Sequence, residues 1–386
     1  MDIGAIGKNE KKINFIADSG LVKMKQIYLL NNYSKLAILS ILAGYEKCDY
    51  IYVNDRFSKK VEIKSLNNFI SYTLNHNIAP KKFDIKISYN KNFNGAKNTL
   101  PLNKYDGILS FSGGIDSTAG LLYALSKKQK VLPMWINFRQ RNNYAERKSA
   151  LKILRKLKIK PVIISIDLSK FILKGWKDWS FIVPGRNFLF LSFANSLLQN
   201  SERQRGHIYL CAHKDEMGHK KNRDKSKYFF QRSSIFFSRD GTKKITAETP
   251  FANYSKAELL SLWKKKWEKK FGISPHETTT CYYENGCGRC EACLKRVIYL
   301  LAAGYTVDQK IKVNPMTDPS GLIINKWIPG IINGKMSRTN KLDFLIAVEK
   351  SLDIVPEKIR KFYSNLSGKT ISNIKKRKKE IEYVKI

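Results

Sequence analysis

The chain has 386 residues, of which 43% are hydrophobic and 12% aromatic, which excludes global disorder and allows two or three domains of ordinary size. No apolar run approaches the roughly 18 residues of a membrane-spanning helix, and the N-terminus lacks a secretory signal, so we expect a cytoplasmic protein with no membrane partner. The formal net charge of +39 favours acidic partners, nucleic acid among them. Only 16 of the 71 basic residues are Arg, however, and the Lys excess also fits an AT-rich coding sequence, so nucleic acid is not the favoured partner.

The first region, residues 1–104, mixes two kinds of local pattern. Lys60–Lys64 and Phe83–Ile87 alternate polar and apolar residues, as half-buried strands do, whereas Leu66–Leu74 has the spacing of a helix. We interpret this region as an N-terminal α+β accessory domain.

The last region, residues 304–386, predicts a helical, lysine-rich C-terminal extension. Asn340–Ser351 and Pro356–Tyr363 have the spacing of amphipathic helices, and Pro356 suits a first turn. The basic run Lys375–Lys379 is interpreted as the solvated end of a helix rather than as a nucleic-acid-binding arm.

Between them, residues 105–303 alternate between buried strands and helices. This order predicts the α/β class with a doubly wound parallel sheet covered on both faces. In such sheets ligands bind beyond the carboxyl ends of the strands. The predicted elements are Gly107–Phe111, Asp116–Leu125, Val131–Asn137, Tyr144–Leu157, Pro161–Ile166, Asn187–Leu198 and His207–Ala212.

A glycine-rich octapeptide, residues 110–117 with the sequence SFSGGIDS, joins the first of these strands to the first helix. Its paired glycines let the backbone approach an anion, and the amides at the helix N-terminus direct partial positive charge toward it. Ser112 and Ser117 add hydroxyl donors, while Asp116 either caps the helix or holds a magnesium-bound pyrophosphate. An ordinary glycine turn with helix caps is the alternative, and it does not account for the whole octapeptide.

Four of the six cysteines lie within thirteen residues, namely Cys281, Cys287, Cys290 and Cys293. In a reducing cytosol this clustering, with two overlapping CxxC steps, favours a metal over disulfides. Four thiolates suit tetrahedral zinc and leave no open position for water, so we expect a structural site. An iron–sulfur cluster and disulfides are the alternatives.

A third motif, residues 183–192 with the sequence VPGRNFLFLS, combines a Pro-Gly turn with a helix start. Asn187 suits the opening of the helix, and Arg186 is presented at a strand end where it meets a carboxylate or phosphate. A structural salt bridge is the alternative role for Arg186.

Residues 112–117 resemble the SGGxDS loop of the PP-loop ATP pyrophosphatases, which cleave ATP between the α and β phosphates to adenylate a substrate. VPGRN followed by FLS, together with TTTCY (278–282) followed by CGRCEACLKR (287–296), resembles the QueC family, the 7-cyano-7-deazaguanine synthases of queuosine biosynthesis.

Two weaker stretches agree with this resemblance. Residues 138–146, with FRQR and Glu146, resemble the YGQR-and-Glu segment of the family, although Arg139 replaces its glycine. Residues 249–258 resemble its TP…KAE segment. The similarity extends over roughly residues 106–303.

The resemblance implies an adenine nucleotide alpha hydrolase-like fold and an ATP-dependent ligase that forms C–N bonds. ATP, Mg²⁺ and Zn²⁺ would be its cofactors and 7-carboxy-7-deazaguanine its substrate. The implied catalytic residues are Asp116, Ser117 and Lys256. The residues implied to bind ATP are Ser110, Ser112, Gly113, Gly114, Asp116, Ser117, Gln140 and Arg141. Those implied to bind the substrate are Arg186, Asn187 and Asp215.

The chain also departs from the compact members of this family. About 100 residues precede the motifs and about 80 follow them, and residues 214–227 are altered. In this respect it resembles the enlarged QueC-like proteins of anti-phage operons, including type IV CBASS and Qat systems. The main hypothesis is therefore conjugation of an activated deazaguanine to an acceptor protein from the same operon.

Three alternatives are kept beside that hypothesis. The nearest is nitrile synthesis from ammonia in queuosine biosynthesis, and the most distant is a non-catalytic, ATP-sensing scaffold of a defence complex. A tRNA-sulfurating PP-loop enzyme fits the positive charge but not the four-cysteine block. Homo-oligomerisation is left open.

Overall fold

The computed structural model describes the chain from residue 104 to 384 with several gaps, and only the strand backbones before residue 104. The described ranges are 104–137, 143–165, 185–199, 201, 203–217, 223–238, 243–281, 286–307 and 310–384. The predicted strand Lys60–Lys64 and the predicted helix Leu66–Leu74 lie outside these residues. The strand predicted at Phe83–Ile87 is confirmed, shifted by one residue, at Asp84–Ser88.

Four strands near the N-terminus form a mixed sheet. They are β1 (Ile3–Gly7), β2 (Lys12–Asn14), β3 (Cys48–Asn54) and β4 (Asp84–Ser88). Their order is β2-β1-β3-β4, with β1 antiparallel to both β2 and β3 and with β4 parallel to β3.

The central sheet has five strands, all parallel, in the order β7-β6-β5-β8-β9. They are β5 (Gly107–Ser110), β6 (Val131–Asn137), β7 (Val162–Ser165), β8 (Arg205–Tyr209) and β9 (Lys244–Glu248). The first strand lies in the middle, so the chain winds outward to β7 and then returns to β8. The α/β class and the parallel sheet are confirmed, and β9 is a strand that the sequence analysis missed.

Helices follow the strands, and further helices make up the C-terminal region. They are α1 (Ile115–Ser126), α2 (Asn143–Lys156), α3 (Arg186–Gln199), α4 (Lys214–Met217), α5 (Lys227–Ser238), α6 (Lys256–Lys266), α7 (Glu268–Phe271), α8 (Glu291–Ala302), α9 (Ile328–Ile332), α10 (Arg338–Glu349), α11 (Glu357–Ser364) and α12 (Gly368–Glu382). A π-helical segment spans Ile323–Trp327, and 3₁₀ turns lie at Arg223–Lys225, Pro275–Glu277 and Pro315–Thr317. None of the described helices is long and apolar enough to cross a membrane.

One hydrophobic cluster runs from the central sheet into the C-terminal helices. Its members include Leu109 of β5, Trp263 of α6, Ile298 of α8, Phe344 of α10 and Ile381 of α12, each at most 3% exposed. Packing of these apolar faces supplies most of the stabilisation that holds the helices together. The predicted domain boundary near residue 304 therefore lies within a continuous core, and the division at residues 104, 303 and 386 stays a prediction.

Two predictions about the C-terminal region are wrong in detail. Pro356 is the N-cap residue of α11 rather than part of its first turn. The basic run is not solvated throughout, because Arg377 is only 4% exposed whereas Lys375, Lys376 and Lys379 are exposed.

Candidate active site

The candidate site lies at the carboxyl edge of the central sheet. Parallel strands all end at the same edge, so the residues that follow β5, β8 and β9 are brought together there. The chain after β5 enters the glycine-rich loop and α1, the chain after β8 enters α4, and the chain after β9 enters α6. The change of winding direction between β5 and β8 opens a crevice at this point.

The glycine-rich loop is held in a tight curve by its own serines. The Ser117 hydroxyl oxygen accepts a hydrogen bond from the Ser112 amide at 3.2 Å, and the Ser112 hydroxyl oxygen accepts one from the Gly114 amide at 3.2 Å. Gly113 has a φ of +75°, and a Cβ there would lie 2.5 Å from the backbone nitrogen of Ala150. Only glycine fits such a position without strain.

Two neighbouring segments hold this loop from outside. The carbonyl oxygen of Gly113 accepts hydrogen bonds from the Ser149 hydroxyl of α2 at 3.0 Å and from the Thr279 amide at 3.1 Å. The loop is thus braced before any ligand binds, as electrostatic stabilisation of a phosphate requires.

Asp116 and Lys256 meet across the crevice. Gly114, not Asp116, is the N-cap residue of α1, so the capping role considered for Asp116 is wrong. Asp116 Oδ2 lies 3.0 Å from Lys256 Nζ, and the side chains of Asp116 and Lys256 are 23% and 13% exposed. Lys256 is the first residue of α6, which begins with a capping box formed by Ser255 and Glu258.

Two further carboxylates, those of Asp215 and Glu216, lie near the Asp116–Lys256 pair. Asp215 Oδ2 accepts a hydrogen bond from the Lys256 amide at 3.1 Å, so Asp215 holds the start of α6. Glu216 Oε1 lies 2.6 Å from Lys225 Nζ. Burial lowers the pKa of Lys225, but the Glu216 carboxylate outweighs that effect and the net pKa is raised, so the pair is ionised.

The four predicted thiolate ligands converge at a separate point. Cys281 Sγ lies 4.0 Å from Cys290 Sγ, and Cys287 Sγ lies 3.9 Å from Cys293 Sγ. A tetrahedron of sulfurs each about 2.3 Å from zinc has edges of about 3.8 Å, so the donor set fits zinc. The hydrogen bond with Cys290 raises the pKa of Cys281 to about 11, and bound metal would displace that proton.

A buried arginine links the thiol cluster to the glycine-rich loop. Arg296 donates to Thr278 Oγ1 and to the Pro275 carbonyl oxygen, both at 2.8 Å. It thereby fixes the segment whose Thr279 amide holds Gly113, two residues before the first ligand, Cys281. The two motifs are therefore physical neighbours joined through this segment.

The predicted substrate residues Arg186 and Asn187 open α3, which packs against the 3₁₀ turn Arg223–Lys225. Gly185 has a φ of +66° and precedes Arg186, whose guanidinium faces Glu146. Burial raises the pKa of Glu146 to about 7, and the positive charge of Arg186 offsets part of that rise. Asn187 is 5% exposed and donates to the Asp224 carbonyl oxygen at 3.3 Å. Gln140 and Arg141 lie outside the described residues.

Comparisons with known proteins agree with this architecture. The family model described as "Queuosine biosynthesis protein QueC" matches residues 106–303. A 7-cyano-7-deazaguanine synthase of Leptospira interrogans is 30% identical over 227 residues, which are 53% of this chain and 89% of the relative. The synthase of Bacillus subtilis is 30% identical over 220 residues (53% and 95%), and that of Staphylococcus haemolyticus 30% over 215 residues (50% and 92%).

This chain belongs to the QueC family. The matched segment contains β5 to β9, the glycine-rich loop, Lys256 and the four cysteines, so the resemblance read from the motifs is confirmed at the level of the family. The anti-phage form of that resemblance receives no support, because the relatives are synthases. Of the two enzymatic readings, nitrile synthesis fits these findings better than conjugation to a protein.

Sequence reasoning missed several residues of this QueC-family site. His213 lies four residues after the end of β8 and is 4% exposed, and Glu216 and Lys225 form a half-buried ion pair beside it. One local signal was present, since His213 follows a predicted strand on the edge where ligands bind. Ser149, which braces Gly113, carries no recognisable sequence signal.

Proposed function

We propose that this chain is a 7-cyano-7-deazaguanine synthase that uses ATP and ammonia to convert 7-carboxy-7-deazaguanine into the nitrile. The observation that supports this most is the braced glycine-rich loop facing the Asp116–Lys256 pair, within a segment that matches the QueC family. The names of the relatives supply the substrate class.

The first half of the reaction makes an amide. A carboxylate oxygen of the substrate attacks the α-phosphorus of ATP, the bond to the β-phosphate oxygen breaks, and pyrophosphate leaves. Ammonia then attacks the carbonyl carbon of the acyl adenylate, AMP leaves with the C–O bonding electrons, and the nitrogen loses a proton to solvent. Activation does most of the chemistry, so no general base is assigned.

The second half of the reaction makes the nitrile. The amide oxygen attacks the α-phosphorus of a second ATP, which again releases pyrophosphate. Loss of AMP together with both N–H protons leaves the carbon–nitrogen triple bond. Both halves thus release AMP and pyrophosphate, and both need the same nucleotide site.

The residues of the loop serve this chemistry through charge and position. The amides of Gly113 and Gly114 and the hydroxyls of Ser112 and Ser117 would hold the phosphates at the N-terminus of α1. Lys256 Nζ, 3.0 Å from Asp116 Oδ2, would offset charge that develops on the leaving pyrophosphate. Ser110 ends β5 and positions the loop, and its side chain is buried.

Two metals fit the residues present. A divalent cation at Asp116 would neutralise phosphate charge, and Asp116 Oδ1 is a buried oxygen without a hydrogen-bond partner among the described residues. Zinc would be held by the four thiolates and would stabilise the fold locally. Arg186 and Asn187 are proposed to bind the deazapurine. Gln140 and Arg141 are proposed to bind the nucleotide.

Product analysis tests the proposal directly. The purified chain would be given ATP, Mg²⁺, an ammonium salt and 7-carboxy-7-deazaguanine, and the products separated by liquid chromatography with mass detection. We expect the nitrile with AMP and pyrophosphate, and no product from Asp116→Asn. Lys266→Ala, which changes an exposed lysine on the same helix as Lys256, is the matched control and should retain activity. ADP as the main product, or no deazaguanine product at all, would overturn the proposal.

A further inference from the structure

Three residues that each have a buried polar atom without a hydrogen-bond partner come together beside the glycine-rich loop. The atoms are Asp116 Oδ1, His213 Nδ1 and Glu216 Oε2, none of which has a hydrogen-bond partner within the described part of the chain. One ligand atom from each residue lies within 4.8 Å of the other two. A buried polar atom without a partner costs free energy, and three neighbouring residues that each carry one indicate a ligand that binds there.

The surroundings show why these atoms are left over. One oxygen of each carboxylate pairs with a lysine: Asp116 Oδ2 lies 3.0 Å from Lys256 Nζ, and Glu216 Oε1 lies 2.6 Å from Lys225 Nζ. The second oxygen of each carboxylate has no hydrogen-bond partner in the described residues, and that of Glu216 lies 3.7 Å from His213 Nε2.

Internal pairing does not satisfy the imidazole. His213 Nδ1 lies 3.4 Å from Asp215 Oδ2, and Nε2 lies 3.7 Å from Glu216 Oε2, both longer than a good hydrogen bond of about 2.9 Å. His213 is 4% exposed, so water does not reach it freely. The ring is therefore held in the crevice without a strong partner among the described residues.

The charge balance of the cluster favours a cation. Three carboxylates, those of Asp116, Asp215 and Glu216, face two ammonium groups, those of Lys225 and Lys256. The carboxylate of Asp224, which also acts on Lys225, adds to this excess of negative charge. A divalent cation would offset the excess next to the loop where phosphates are proposed to bind.

We propose that Asp116, His213 and Glu216 form a divalent-cation site that exists before the nucleotide binds. Because one donor is an imidazole nitrogen, the site selects a borderline transition ion such as Mn²⁺ over Mg²⁺, which prefers oxygen ligands alone. The role of this ion as counter-ion of ATP rests on the proposed function, whereas its binding to the protein does not.

The origin of the ligands supports a built site. Asp116 lies in the first turn of α1, which follows β5, while His213 and Glu216 come from the segment after β8, three residues apart on one turn. The two strands are hydrogen-bonded neighbours in the sheet, so the sheet fixes the distance between the two ligand segments. Rigid elements of this kind hold metal ligands in place without help from the metal.

Binding of Mn²⁺ without nucleotide tests the proposal. The zinc-loaded full chain, freed of exchangeable metal on a chelating resin, would be titrated with Mn²⁺ while free Mn²⁺ is followed by electron paramagnetic resonance. We expect one Mn²⁺ per chain, and at least tenfold weaker binding in His213→Gln and in Glu216→Gln, since even outer-shell changes cost about 10–100-fold in metal affinity. Mg²⁺ should displace the bound Mn²⁺ only at large excess.

The matched controls are His207→Gln and Glu248→Gln. These residues form a similar histidine–glutamate pair, 2.6 Å apart, on neighbouring strands of the same sheet, so their loss should leave Mn²⁺ affinity unchanged. Zinc content and the thermal transition would show whether each variant is folded.

A spectroscopic measurement on the unmodified chain decides the matter even if the site variants fail to fold. Electron spin echo modulation of bound Mn²⁺ should show coupling to a directly bound ¹⁴N nucleus. Mn²⁺ that binds only with ATP, binds equally well to both folded variants, or shows no nitrogen coupling would overturn the proposal. None of these outcomes depends on synthase activity, so the proposed function stands or falls separately.

Discussion

The segment matched by the QueC family and the C-terminal region that follows it differ in what they contribute to the site. Residues 106–303 hold the glycine-rich loop, Lys256 and the four cysteines. Residues 310–384 contain none of these groups, yet their helices α10 and α12 are part of the same hydrophobic cluster as β5 and α6. A region can thus be essential to a site to which it contributes no reacting group.

One polar contact between the two regions is an ion-pair network around Arg377 of α12. Its Nε donates to Asp343 Oδ1 at 2.8 Å, its Nη2 donates to Ser255 Oγ at 2.5 Å, and its Nη1 donates to Glu258. Ser255 and Glu258 are the capping box of α6, whose first residue is Lys256. The C-terminal region therefore fixes the end of the helix that presents Lys256.

Removing the charge pair of the site should have the largest effect. We expect Asp116→Ala and Lys256→Ala each to lower turnover by about 10²–10³-fold, because each removes a group placed to act on developing phosphate charge. Pyrophosphate release under saturating ATP measures this. Zinc content should be unchanged in both variants. If both kept turnover within a factor of three of wild type, the match to the family would not extend to this mechanism.

The second-largest effect is expected from removing Arg377, the centre of the ion-pair network that joins the two regions. It should appear as a lower free energy of unfolding. Burial raises the pKa of Asp343 to about 7 while Arg377 pulls it down, so Arg377→Ala leaves a buried carboxyl without its partner. The expected cost is about 3–5 kcal/mol in the free energy of unfolding. Denaturant titration of the full chain measures it.

The matched control for that experiment is Arg360→Ala on α11. Arg360 pairs with Glu357 at 3.4 Å, with 49% and 63% of the two side chains exposed, so its loss should cost less than about 1 kcal/mol. Equal effects of the two variants would mean that the joining network contributes no more than a surface pair, and the comparison between the regions would fail.

The thiol cluster offers a third way to sharpen the comparison, because both regions meet there. A Cβ on Gly288 would lie 1.9 Å from the Val313 carbonyl oxygen, and the Lys312 amide donates to the Gly286 carbonyl oxygen at 2.9 Å. Cys290→Ser should therefore abolish stoichiometric zinc and loosen residues 310–313 as well as the cysteine loop.

Zinc analysis and amide hydrogen exchange would measure the two effects. Cys211→Ala, which changes a cysteine outside the cluster, should keep its zinc. Retention of a full equivalent of zinc by Cys290→Ser, or a coloured iron centre in the wild type, would contradict a four-thiolate zinc site.

These contacts also explain how far the sequence alone could lead. The glycine-rich loop and the cysteine block were predictable because each is a short motif whose chemistry depends on local spacing. Helices α1, α2 and α3 were found within one residue of their ends. α2 is amphipathic, and the glycine turns before α1 and α3 mark where those two mostly buried helices begin. β9 was missed because five residues of mixed character, KITAE, at the edge of a sheet carry little pattern.

The residues that were missed become neighbours only through the topology. Asp116 and Glu216 are 100 positions apart and meet because β8 pairs with β5. Arg377 was interpreted as solvated because a local run of charges does not show which member faces the core. Long-range strand order and helix packing decide both cases, and neither is encoded in a short stretch of sequence.

The smallest effect is expected from a pair on the sheet that serves neither the site nor the joining network. The hydrogen bond to Glu248 raises the pKa of His207 above its ordinary value of 6.5, although burial opposes the rise. A raised folded-state pKa means that protonated His207 stabilises the fold at pH values below about 6.5, and that this contribution is lost as the pH rises through the folded-state pKa. Both side chains are about 40% exposed, so solvent screening keeps the contribution below about 1 kcal/mol. The difference in melting temperature between the wild type and His207→Gln should therefore be positive below about pH 6.5 and should shrink as the pH rises through the folded-state pKa; a difference that grows with pH would contradict this sign.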